Sequence, residues 1–211
     1  EPGGAAHALG TFLSHGYYYA WLGALTITSI AFLAWLGTQS LLAQFARRRV
    51  PWLGYVPILI LLVAYEGLEN PIVEAVSFLT VLWCCVFYYR FAIASLLLRL
   101  ALTVVLNVLL YAAVGPAGLV FALLAALHEG LVGRRTLLAT TSLLFGAAIP
   151  LVMALTVYDM PVVDAYTRIL PLVGPDPDRT FYAAAALYLF LPAAAAIAFL
   201  VGHLRRRSTS A

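Results

Sequence analysis

Residues 17–49 read YYYAWLGALTITSIAFLAWLGTQSLLAQFARRR. From Tyr17 to Leu42 there is no Asp, Glu, Lys or Arg. A helix needs about 20 apolar residues to cross the hydrocarbon core of a bilayer, and this run is long enough. An aromatic cluster, Tyr17-Tyr18-Tyr19 with Trp21, opens it, and Arg47-Arg48-Arg49 closes it. Aromatic residues gather at membrane interfaces, and arginine runs mark a loop that stays on one side. The apolar residues are continuous and do not alternate, so the run is a helix and not a barrel strand.

The same pattern recurs along the chain. Further apolar runs lie at about Trp52 to Tyr65, Ile72 to Tyr89, Ile93 to Val114, Leu119 to Val132, Thr136 to Tyr158 and Thr180 to His203. That predicts an all-α, polytopic transmembrane bundle of about seven spans, in a single membrane domain over 1–211. The second and fifth runs are short, so six spans with one half-helix is the alternative. Composition agrees. Of 211 residues, 64% are hydrophobic and 10% charged, with a mean hydropathy of +0.99. Soluble domains carry roughly 25% charged residues, so a soluble enzyme or a disordered chain is excluded. Two cysteines with no ligand-spaced partners exclude a disulfide scaffold and a zinc ribbon. All 12 cations are arginine, so lysine Schiff-base chemistry, and with it a retinal protein, is excluded.

The charges sort by loop. Arg47, Arg48, Arg49, Arg90, Arg99, Arg134, Arg135, Arg205, Arg206 and Arg207 fall on one side with Glu129. The other side holds Glu1, Glu66, Glu69, Glu74, Asp159, Asp164, Asp176 and Asp178, with Arg168 and Arg179. The positive-inside rule makes the arginine side cytoplasmic, the N-terminus outside and the C-terminus inside. The expected location is a bacterial inner membrane. In that setting the arginine runs are a topology signal and no nucleic acid is expected. Two outside segments read as interfacial helices: residues 1–16, where Leu9, Phe12, Leu13 and Tyr17 repeat at helical spacing, and a short helix within the loop 159–179. In the latter, Pro161 suits a first turn and Asp164 sits four residues before Arg168. Gly115-Pro116-Ala117-Gly118 reads as a turn, and Gly174-Pro175-Asp176-Pro177-Asp178 as a break before the last span.

Several residues are candidates for chemistry. Glu66, Glu69 and Glu74 cluster around Asn70 at the outer ends of the second and third spans. Carboxylates so placed can hold a divalent cation or serve as a general base, or they simply occupy the acidic side, with Glu74 favoured at a helix start. Arg168 and Arg179 can grip a phosphate, and Asp176 and Asp178 can share a metal; a solvated loop with local ion pairs is the plainer account. His128 and His203 lie at similar depth on different spans and are candidate haem ligands. Against that, His128 and Glu129 are expected to meet a nearby Arg or carbonyl. Cys84-Cys85 sits mid-span and reads as two buried thiols. No cofactor is assigned.

Pro2-Gly3-Gly4, the stretch ending in Phe12-Leu13, and Tyr17 to Leu25 resemble a segment of an uncharacterised family of bacterial multi-spanning membrane proteins. The resemblance is strongest over about the first 40 residues. It implies that the chain lacks a span and an outside loop that precede this segment in longer members. The absence of an initiator Met and of a signal-peptide pattern fits a processed product or a piece of a longer protein. The layout also loosely resembles membrane glycosyltransferases that use polyprenyl-phosphate sugars, whose essential acid lies in a loop that would precede Glu1. The leading expectation is a non-enzymatic membrane subunit that packs against lipids or other membrane proteins. The alternative is an enzyme, or part of one, acting on a lipid-linked substrate at the outer face. A transporter comes third, because Glu74 and Asn107 are few intramembrane polar residues for one.

Overall fold

In the computed structural model, residues 2–46, 51–67, 71–91, 95–167 and 177–209 are described. Every regular element among them is helical. Nine α-helices follow in order: α1 Gly4–His15, α2 Ala20–Ala46, α3 Val56–Gly67, α4 Pro71–Arg90, α5 Leu96–Val114, α6 Gly118–Leu127, α7 Thr136–Met153, α8 Val162–Thr167 and α9 Pro177–Thr209. The helix starts follow local rules. Pro71 and Pro177 occupy first-turn positions, where a missing N–H costs nothing. The Ser95 side chain accepts from the Leu98 N–H and caps α5. The α9 helix extends past His203 through Arg205, Arg206 and Arg207, so these residues end the apolar run and not the helix.

Five helical segments are long and apolar enough to cross a membrane: Ala20–Ala46, Ile72–Arg90, Leu96–Val132, Thr136–Tyr158 and Ala185–His203. Leu96–Val132 does not run straight. In one continuous helix Arg99 and Glu129 would lie about 45 Å apart. Their side chains instead meet at 2.6 Å, so α5 and α6 are the two legs of a hairpin. The reversal is at Gly115, whose φ of 67° favours glycine. Gly115 donates its N–H to Tyr111, and Pro116 opens the next turn. The sequence marked this turn. The second expected span, Trp52 to Tyr65, is different: a 3₁₀ segment over Pro51–Tyr55 leads into the 12-residue α3. At 1.5 Å per residue, α3 is about 18 Å long, well short of a bilayer core of about 30 Å.

The core is assembled from several helices. Leu41 and Leu42 of α2, Phe78 and Leu82 of α4, Phe121 and Leu124 of α6, and Leu187 and Leu191 of α9 are buried together. Helices α6 and α7 pack closely, with Gly146 facing Ala122 and Ser142 donating to the Ala122 carbonyl at 3.0 Å. Small residues at a helix interface let backbones approach in this way. At one end of the bundle, the Gly3 N–H bonds the Ala112 carbonyl and α1 lies over α4 and the hairpin turn. Tyr111 donates to the Ala165 carbonyl there at 3.2 Å, and Tyr166 donates to Ala147, which fixes α8. At the opposite end Phe45, Tyr89, Arg99, Glu129 and Gly202 gather.

Candidate functional site

Two polar assemblies sit inside this bundle, one toward each end. The first is built on α4 and α9. Glu74 lies in the first turn of α4, half-buried, and Tyr188 of α9 donates to its Oε2 at 2.7 Å. A cavity of about 410 Å³ opens beside this pair. Its polar wall includes Glu74, Ser77, His7 and Tyr188, and its floor is the backbone around Gly3 and Gly115. A carboxylate held inside a membrane span, with a phenol on one oxygen and open space on the other side, can accept a hydrogen bond or balance a cation.

The second assembly joins α4, α5 and the end of α6. There the helix widens to a π-turn over His128–Val132, a form frequent at functional sites. Within it Glu129 is 1% exposed and paired to Arg99. Tyr88 donates to the same carboxylate oxygen at 3.2 Å and lies 3.0 Å from the Thr103 hydroxyl. The Arg99 guanidinium also rests over the Tyr88 ring, 5.2 Å from its centroid. On α5, Thr103 donates to the Arg99 carbonyl and Asn107 to the Thr103 carbonyl. Each charge is met by an opposite charge and by hydrogen bonds, the condition for tolerating an ion pair away from water. The expectation that Glu129 meets an arginine agrees with this geometry.

The remaining candidates include two histidines, His128 and His203. His128 is stacked face to face on Tyr89 at 4.1 Å, with Phe45 edge-on at 5.7 Å. Its Nδ1 is 3.8 Å from Glu129 Oε1. His203 is exposed on α9 and stacks on Phe199. It borders a cavity of about 220 Å³ whose lining includes Arg134 and Phe45 but not His128. Glu66 lies in the last turn of α3 and Asp178 and Arg179 in the first turn of α9, with side chains outside the described residues. Glu69, Arg168 and Asp176 also lie outside them. Among the described residues no three His, Cys, Asp or Glu side chains converge as a metal set.

Sequence reasoning picked out Glu74 but missed its partners. Tyr188 is 114 positions away on another helix, and no periodicity connects the two. His7 lies on α1, 67 positions before Glu74, and is likewise brought to it only by the fold.

The family described as "Family of unknown function (DUF6057)" matches residues 1–211. The chain belongs to this family. For the DUF6057 chain, no curated protein and no solved structure matches. Membership in a family without an assigned activity agrees with the resemblance drawn from the first 40 residues, and it covers the whole chain.

Proposed function

We propose that this DUF6057 chain is a membrane subunit that docks laterally onto another membrane protein through α2. The observation that carries this reading is the outward face of α2. Only 22% of its most apolar window is buried, against 67% for α4. Ala20, Ala24 and Thr28 recur every fourth residue on that face and are exposed, flanked by Trp21, Leu25 and Phe32. A small-residue stripe framed by large apolar side chains is how helices in lipid associate closely. The Thr28 hydroxyl is satisfied by the Ala24 carbonyl at 2.7 Å, so the stripe presents no unmet polar group to a partner.

The topology we infer has about seven passes, with the N-terminus outside and the arginine end cytoplasmic, in a bacterial inner membrane. The α5–α6 hairpin supports counting Leu96–Val132 as two passes, which gives six with the other four segments; α3 is a seventh, partial one.

A specific observation favours a second reading. The cavity beside Glu74 lies at the end we assign to the outside, and suits part of a lipid-linked substrate such as a polyprenyl-phosphate sugar. In that case Glu74 is the polar group that engages it. Native mass spectrometry of the chain, extracted gently from its own membrane, tests both readings. The subunit reading predicts a fixed ratio with another polypeptide, lost in Ala24→Leu and kept in Glu74→Gln. A lone chain that carries a polyprenyl lipid, lost in Glu74→Gln, contradicts it and supports the second.

A further inference from the structure

A third cavity, of about 370 Å³, takes no part in either reading. It lies between α2 and α4 at the Arg99 end of the bundle. Arg90, in the last turn of α4 and exposed, stands at its edge. Gln39, Gln44 and Trp35 of α2 line it, so its polar wall holds a guanidinium, two carboxamides and an indole. The Trp35 Nε1 is shielded from solvent and lies against Gly54 of the 3₁₀ segment. Ser40 also lines it; its proton is already given to the Leu36 carbonyl at 2.8 Å, which leaves the hydroxyl oxygen. Among the described residues no carboxylate lines this space. Arg90 is the one fixed charge among the described residues that line the cleft, and the matching ligand carries an anionic group. Phosphate is the oxyanion that arginine engages best, with two parallel hydrogen bonds.

The shape selects among phosphates. From Gln44 back to Trp35 the wall runs about 13 Å along the helix axis, away from the end and toward the bundle centre. Beside its polar groups the wall is apolar along its length, formed by Leu36, Ala43 and Val86, and Leu36 is exposed to the surroundings of the bundle. A free phosphate has no use for that length. A molecule with a phosphate at one end and hydrocarbon at the other meets both the charge and the apolar wall. Basic pockets between transmembrane helices at the cytoplasmic side hold anionic lipid headgroups for this reason.

We propose that the α2–α4 cleft is a binding site for an anionic phospholipid, with the headgroup phosphate on Arg90 and the acyl chain along Leu36 and Val86. The proposal rests on the membrane reading of the bundle, and on neither the α2 partner nor the Glu74 cavity. The test is native mass spectrometry of the purified full chain in detergent, titrated with phosphatidylglycerol and, separately, phosphatidylcholine. Wild type is expected to retain phosphatidylglycerol in preference. Arg90→Gln should weaken that retention about tenfold, the equivalent of one charge-assisted contact, while Arg90→Lys keeps most of it. Ala43→Phe, which leaves the charge in place and crowds the apolar wall, should also weaken it. Arg134→Gln, at the separate cavity beside His203, should not. Equal retention of the two lipids, or unchanged retention in both Arg90→Gln and Ala43→Phe, overturns the proposal. So does displacement of the lipid by inorganic phosphate alone, which would make this an anion site and not a lipid site.

Discussion

Glu129 shows what a single residue does to this bundle. Its carboxylate is buried and its charge is balanced by Arg99, 30 positions earlier and on the other leg of a hairpin. Removing one member of such a pair leaves the other charged without a partner, at a typical cost of about 3–5 kcal/mol. Replacing both with apolar residues of similar size removes the problem. Glu129→Gln is therefore expected to lower unfolding stability by about 3 kcal/mol. The double variant Arg99→Met with Glu129→Leu should come back to within about 1 kcal/mol of wild type. Reversible unfolding in mixed micelles, read as a double-mutant cycle, measures both. A Glu129→Gln chain as stable as wild type would mean that the pair carries no stability. At this scale the sequence was partly legible. It placed Glu129 among arginines because loop charges sort by side. It could not say which arginine, since Arg90, Arg99, Arg134 and Arg135 all fall on that side. That choice is made by the hairpin and by Tyr88, whose hydroxyl reaches across from α4.

Among the elements, α6 is the most constrained. It has only 10 residues before the π-turn, yet it packs against α5, α7, α9 and α4. It packs closely on α7, where a side chain at Gly146 would collide with the Ala122 methyl. Gly146→Val should force the two helices apart, at a cost of about 1–3 kcal/mol from overpacking, and lower the thermal unfolding midpoint. Gly4 has nothing near the position of an added methyl and lies exposed at the start of α1. Gly4→Ala should leave the midpoint unchanged, and a loss as large as that of Gly146→Val would show that the glycines act through the backbone alone. The turn before α6 was legible, since Gly115-Pro116-Ala117-Gly118 punctuates two apolar runs. The extent of α3 was not. Its run from Trp52 has the composition of a span, but Pro51–Tyr55 winds as a 3₁₀ segment, with Gly54 against Trp35 and Gln39 of α2. Contact with a helix earlier in the chain sets where α3 begins, and apolar composition does not report such contacts.

At the scale of the whole molecule, side chains sort by end. Glu74, Tyr188 and the Gly115 turn lie toward one end, and Arg90, Arg99, Arg134 and His203 toward the other. The helical class was legible from apolar runs and from arginine at alternate loops. The cavities were not, because each is made by residues from different helices: His7 with Glu74 and Tyr188 in one, Gln44 with Arg90 in another. Both the Glu74 cavity as an outer site and the Arg90 cleft as an inner one depend on the direction in which the bundle stands in the membrane.

That direction is the central claim, and it can be measured directly. Cys84 and Cys85 are first replaced by Ala, and a single cysteine is introduced as Ser14→Cys or Ser208→Cys. Intact cells are then treated with a membrane-impermeant maleimide. The account predicts that Ser14→Cys is labelled in intact cells and Ser208→Cys only after lysis. Labelling of Ser208→Cys in intact cells, with Ser14→Cys protected, would contradict it.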